Sequence, residues 1–162
     1  MSVNFSNTVP AAPAGNTNVL WQNDGSGNIS AYSPTGASIV TSASVDLTAQ
    51  AANISATTLL AATSSGFYRV NAYIVVTQVP TTSSTLPKVT ITWTDPNNST
   101  GETFDITPTL AGGPANALTD FKQGLMVFNA KTGTNIQYAT SGYASVGATP
   151  MQYALSIRLE KL

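Results

Sequence analysis

Gly66-Phe67-Tyr68-Arg69-Val70-Asn71-Ala72-Tyr73-Ile74-Val75-Val76-Thr77 is the stretch that decides the fold class. Tyr68, Val70, Ala72, Ile74 and Val76 occupy every second position, so they share one face of a strand. Aromatic and β-branched residues dominate the stretch, which suits a pleated, half-buried surface. The same period recurs on both sides. Val45, Leu47 and Ala49 alternate with Asp46, Thr48 and Gln50. Val89, Ile91 and Trp93 share a face within 88–94, and Met151, Tyr153, Leu155, Ile157 and Leu159 do so within 151–159.

Weaker segments fill the gaps. They are 57–63, 103–107 with Phe104 and Ile106, 121–129 with Gly124 read as a bulge, and 134–140 with Ile136 and Tyr138. Pro80 with the run TTSST, the cluster DPNNSTGE at 95–102, and Ala111-Gly112-Gly113-Pro114 punctuate them as turns. The Ala-rich stretch 49–62 has no i, i+3, i+4 stripe, so it is not read as a helix. Roughly seven to ten strands separated by turn signals predict an all-β protein, a β-sandwich or jelly roll over residues 45–162.

The segment before the body reads differently. Residues 1–18 hold two Pro, one Gly and no sustained period, which predicts an extended N-terminal arm. Val19-Leu20-Trp21-Gln22-Asn23 and Ile29-Ser30-Ala31-Tyr32 flank the turn cluster Asp24-Gly25-Ser26-Gly27-Asn28, a small hairpin. Residues 33–44 complete the 1–44 region as a polar linker.

Composition narrows the chemistry. The 162 residues are 42% hydrophobic but only 8% charged, with six Lys and Arg against seven Asp and Glu. There is no His and no Cys, so no Ser-His-Asp triad and no ordinary zinc, haem, copper or iron–sulfur site is expected. A sparse, balanced charge offers no basic stripe for nucleic acid. No run reaches 18 apolar residues, so no membrane span is expected. MSVNFSN has neither a basic region nor an apolar one, so no signal peptide is expected. The polar surface is instead built from 24 Thr, 17 Ser and 13 Asn. Hydroxyls and amides supply little like-charge repulsion between copies.

Three clusters invite a functional reading. Asp24 to Asn28 sets oxygens at alternate positions, as a calcium loop begins. The sixth position is then Ile29 and the twelfth Thr35, so the pattern fails there and a hairpin turn is the simpler reading. Asp95, Asn97, Glu102 and Asp105 form the densest acidic group. They suit a hard cation or a glycosidase carboxylate pair, against the plainer reading of a solvated hairpin tip. The aromatic residues Trp21, Tyr32, Trp93 and Tyr 68, 73, 138, 143 and 153 suit either packing or sugar stacking. Trp21 lies on a hairpin too small to bury it alone, so Val19, Leu20, Trp21 and Tyr32 are the expected partner-binding anchor.

Pro10-Ala11-Ala12-Pro13-Ala14-Gly15, then Asn18-Val19-Leu20-Trp21-Gln22 and Gly27-Asn28-Ile29-Ser30-Ala31-Tyr32, resemble a segment common in virion proteins of tailed bacteriophages. There it precedes or connects small β domains, and residues 45–162 look like such a domain. Gly66-Phe67-Tyr68-Arg69-Val70 and Lys131-Thr132-Gly133-Thr134-Asn135-Ile136-Gln137-Tyr138 also resemble trimeric jelly rolls of the tumour-necrosis-factor and C1q type. The final strand departs from those trimers, because it lacks their aromatic-aromatic-Gly ending. The phage resemblance implies a non-enzymatic structural protein of the virion: a capsid decoration protein, a head fibre or a tail appendage. The expected partners are other copies, as a homotrimer, and a virion shell or tail protein, with no cofactor. A carbohydrate- or receptor-binding module of a tail appendage is the alternative.

Overall fold

The computed structural model describes residues 20–23, 29–32, 41–107 and 115–162, the first two stretches as backbone alone. The chain divides into two compact units, Met1–Ser38 and Ile39–Leu162. In the first, β1 (Leu20–Asn23) pairs antiparallel with β2 (Ile29–Tyr32), in the register Leu20 opposite Tyr32 and Trp21 opposite Ala31. The hairpin strands therefore stand where the sequence puts them. The expected arm at 1–18, the turn at 24–28 and the linker segment 33–40 lie outside the described residues.

The second unit is an all-β sandwich. Its strands are β3 (Thr41–Gln50), β4 (Thr57–Ala61), β5 (Gly66–Gln78), β6 (Ser83–Thr85), β7 (Lys88–Thr94), β8 (Gly101–Asp105), β9 (Phe121–Ala130), β10 (Asn135–Ser141), β11 (Ala144–Val146) and β12 (Gln152–Lys161). One sheet has the order β4-β10-β7-β8 and the other β3-β12-β5-β9; β6 and β11 form a separate two-stranded ribbon. Its first strand begins at Thr41, so the body takes in four residues assigned above to the linker.

The pairings are nested. β7 pairs β8 at the hairpin, then β5 pairs β9, β4 pairs β10, and β3 pairs β12. The chain is thus a double ribbon folded back at 95–100 and wrapped into two layers. The wrap closes where β12 pairs β5 and β10 pairs β7, all antiparallel.

Between the layers lies the core. Tyr68, Val70, Ala72, Ile74 and Val76 are all buried, as the alternation in β5 predicts. Tyr153, Leu155, Ile157 and Leu159 of β12, Val89 and Ile91 of β7, and Ile136 and Tyr138 of β10 meet them. Two contacts tie the sheets directly. The rings of Trp93 and Phe128 sit 4.8 Å apart, and the hydroxyls of Thr140 and Tyr153 are 3.1 Å apart. Tyr153 also donates to the Ala52 carbonyl at 2.8 Å, so its buried hydroxyl is satisfied.

Three local expectations are corrected. Ala49 does not join Val45 and Leu47. The register jumps between Tyr153 opposite Gln50 and Leu155 opposite Leu47, and Ala49 takes φ 55° and faces outward. This β-bulge breaks the period of two. Phe104 and Ile106 do not share an environment either: Phe104 is 52% exposed and Ile106 3%. The strand ends at Asp105, and the Thr107 hydroxyl, not a strand carbonyl, accepts the Val89 N–H at 2.7 Å.

Gly124 is not a bulge, because β5 and β9 pair without a register shift from Gly66 opposite Ala130 to Val75 opposite Phe121. Its role is close approach. A Cβ there would lie 1.7 Å from the Ile106 carbonyl oxygen. Gly124→Ala should therefore cost about 3 kcal/mol or more, since backbone cannot yield as a side chain does. Gly101→Ala, with nothing within 4 Å of the added carbon, serves as the control. It should stay within about 0.5 kcal/mol in urea unfolding. Equal midpoints for the two variants would refute the close-approach reading.

Candidate functional site

The four acidic-cluster residues do not converge. Asp95 accepts hydrogen bonds from the Asn97 backbone N–H at 2.7 Å and the Asn97 side-chain amide at 2.9 Å. That holds the tip of the β7–β8 hairpin, where Ser99 takes φ 56° and donates its N–H to the Asp95 carbonyl at 2.9 Å. Glu102 accepts from the Asn98 side chain at 3.3 Å. Asp105 is occupied further along the strand by Lys88 at 2.6 Å and the Thr90 hydroxyl at 2.7 Å. Glu102 stands opposite Trp93 and Asp105 opposite Thr90. Strand residues an odd number apart point to opposite faces, so these two carboxylates do not flank one substrate. Among the described residues there is no group of three or more acidic, His or Cys side chains able to hold a metal ion.

The aromatic candidates separate as well. Trp93 lies between the sheets against Phe128, and its indole N–H is buried with no hydrogen-bond partner. It is no sugar platform. Tyr68, Tyr138 and Tyr153 are core residues. Tyr143 stacks near Tyr153 and donates its hydroxyl to the Met151 carbonyl at 2.7 Å. Leu20, Trp21 and Tyr32 occupy β1 and β2 at the register positions given above, and Val19 lies outside the described residues, as does the Asp24 to Asn28 cluster.

A surface that the sequence reading missed is the outer face of the β3-β12-β5-β9 sheet. Phe121, Leu125 and Val127 project from β9, with Phe67 and Tyr73 from β5, and all five are exposed. Tyr73 and Phe121 have ring centroids 5.7 Å apart. The signal was present in β9. Its odd positions hold Phe121, Leu125 and Val127 beside Gln123 and Asn129, while its even positions include Met126, Phe128 and Ala130. A strand apolar on both parities asks for cover on both faces.

Beside this band is an open cleft of about 480 Å³, lined by Asn71, Tyr73, Gln123, Leu125, Ser156 and Arg158. Arg158 is held by Asp46 through a two-pronged contact of 3.1 and 2.8 Å. Arg69 and Glu160 pair at 2.7 Å through the guanidinium Nε. The ionic groups of this face therefore cancel one another. The outer face of the opposite sheet bears Thr90, Thr92, Thr103 and Gln137, with the Thr92 and Thr103 hydroxyls 3.4 Å apart.

Two carboxyls are held below their ordinary 3.8. The hydrogen bond from Arg158 does this chiefly for Asp46, and that from Lys88 for Asp105. A depressed folded-state pKa adds stability that is complete above the unfolded value and lost as pH falls through the folded one. Asp105→Asn should therefore flatten the fall in urea midpoint below about pH 4, compared with the unmodified chain. Superimposable acid limbs would show that the Lys88 contact is energetically silent. Among the described residues no helix is long and apolar enough to cross a membrane. No family model matches the chain, and no curated protein does.

Proposed function

We propose that this chain is a non-enzymatic structural protein of a bacteriophage virion. In this reading it is a homotrimeric capsid decoration or head-fibre protein that attaches through its N-terminal arm and the Val19, Leu20, Trp21 and Tyr32 hairpin. The resemblance of the N-terminal segment to phage virion proteins supports the setting. The single observation that carries self-assembly is the apolar band of Phe67, Tyr73, Phe121, Leu125 and Val127 on one outer sheet face.

A second copy is the occupant that this band suits. Its ion pairs are matched internally and the whole chain carries a net charge of only -1, so like copies meet little repulsion. A symmetric neighbour also covers the free side of β9, the last strand of its sheet. The order β3-β12-β5-β9 over β4-β10-β7-β8 supports the jelly-roll reading, since a rolled double ribbon of eight strands gives that order.

The cleft favours one alternative. Asn71, Gln123 and Arg158 beside the Tyr73 ring are the side-chain types that hold a sugar, which suits a carbohydrate-binding module of a tail appendage. The two readings compete for one surface. If copies cover it, a glycan does not enter.

Light scattering separates them. At micromolar concentration the mass should be three times 16.7 kDa. Leu125→Arg should reduce it to that of a single chain with an unchanged far-ultraviolet spectrum. A wild-type chain at single-chain mass whose Tyr73→Ala variant loses glycan-array binding would transfer the face to the alternative. Removing residues 1–38 should leave the trimer intact and abolish co-sedimentation with virions. Retained co-sedimentation would end the anchor role of the arm.

A further inference from the structure

Lys122 stands apart from every other cation in the chain. It takes an inward position on β9 and is only 8% exposed. Of the other five, Arg69, Lys88 and Arg158 hold carboxylates. Lys131 and Lys161 donate to the hydroxyls of Ser99 and Ser64 at the surface. Lys122 Nζ donates to the Leu86 carbonyl at 2.6 Å, its one hydrogen-bond acceptor among the described residues. An ammonium has three N–H donors.

Among the described residues no carboxylate forms an ion pair with it. Asp46, Glu160 and Asp105 are engaged by Arg158, Arg69 and Lys88. Asp95 and Glu102 serve the hairpin tip, and Asp120 accepts the Ala117 N–H at 2.8 Å. The seventh acid, Asp24, belongs to the first unit. The undescribed stretch 108–114 reads PTLAGGP and contains no acid. A buried charge without a counter-charge is costly, and a Met or Leu in that place would avoid the cost. Burial accordingly pushes the Lys122 ammonium below the ordinary lysine pKa of 10.5.

The surroundings supply the reason for a cation there. Lys122, Lys88, Ser141, Gly142, Thr85 and Leu86 line a cleft of about 160 Å³ at one end of the sandwich. Two cations and the hydroxyl side chains of Thr85 and Ser141 share it; Lys88 is paired with Asp105 at 2.6 Å, which leaves Lys122 as the uncompensated charge, and no acid lines it among the described residues. The volume is well below the several hundred Å³ of organic-ligand sites, so it fits an ion-sized guest. We propose that this cleft binds a single small oxyanion, with Lys122 as the principal counter-charge and Lys88 and the Ser141 hydroxyl as further donors. Charge-assisted hydrogen bonds from an ammonium to an oxyanion are roughly twice as strong as those between neutral groups.

The test is thermal melting of the full chain in millimolar phosphate or acetate, against chloride at matched ionic strength. A rise in Tm that follows the logarithm of one plus anion concentration over Kd is expected, about 5 °C at ten times Kd. Lys122→Met should lose that rise. A Lys122-dependent rise with phosphate alone identifies a tetrahedral guest, and one with acetate a carboxylate; either upholds the site. Identical rises in wild type and Lys122→Met would be a general salt effect and would overturn it. If Lys122→Met does not fold, amide ¹H–¹⁵N shifts of Ser141 and Gly142 in the wild type decide the matter. Saturable movement with either anion upholds the site, and unmoved resonances remove it.

Discussion

The antiparallel pairing of β5 on both of its edges is the constraint on which the sandwich depends. β12 runs along one edge from Gln152 opposite Gln78 to Lys161 opposite Tyr68, and β9 along the other from Phe121 to Ala130. With both neighbours set, the inner face of β5 is committed to the core, because a one-residue slip would turn Tyr68, Val70, Ile74 and Val76 to solvent. The outer pairings then follow from chain connectivity. β10 and β4 lie outside β9 and β5 in sequence, and β12 and β3 outside those, so each pairing brings the next pair of segments together. Loop closure is the main opposing cost, and it grows only slowly with length. A long-range topology of this kind is thus tolerable once the central ladder is in place.

Strands on this frame were legible wherever one parity was continuously apolar. β5, β7 and β12 show their buried faces in the sequence itself, and the hairpin β1–β2 shows its turn residues. What escaped the reading was set by a neighbour distant in sequence. The outward turn of Ala49 depends on the extra residue that β3 carries against β12. Gly124 is required by the Ile106 carbonyl, which arrives from another strand's end and leaves no trace in the local pattern. The acidic group shows the opposite case, where the plain hairpin-tip reading matches the contacts of Asp95, Asn97 and Glu102 and closeness in sequence is no guide to a site. Residues 95, 97, 102 and 105 look close in a list, but a strand places Glu102 and Asp105 back to back, and parity counting alone separates them.

Sparse charge shapes the rest of the molecule. Among the described residues three ion pairs are spread over the sheets' outer faces and their ends, each partly exposed, where such pairs contribute little to stability. Their more evident effect is to leave the surface without a field of either sign. Turn geometry is held instead by amides and hydroxyls, as at Asn97, Asn98 and Thr100 around the β7–β8 tip. Against that background a single lysine enclosed beside a carbonyl is a departure from the chain's own rule, and a departure of that size calls for a ligand or a cost borne elsewhere.

The two outer faces lead to a last step. One is covered with hydroxyls that water solvates well, and the other presents aromatic and aliphatic side chains of β5 and β9 interspersed with Arg69, Asn71, Gln123 and Asn129. The hydrophobic effect favours removing roughly 25 cal/mol for each Å² of such surface from water, whatever supplies the cover. An isolated sandwich satisfies only the inner faces of its two sheets. A strand with apolar residues on both faces, as β9 has, leaves Phe121, Leu125 and Val127 uncovered in a single copy, and that uncovered area is what the proposed self-assembly would remove from water.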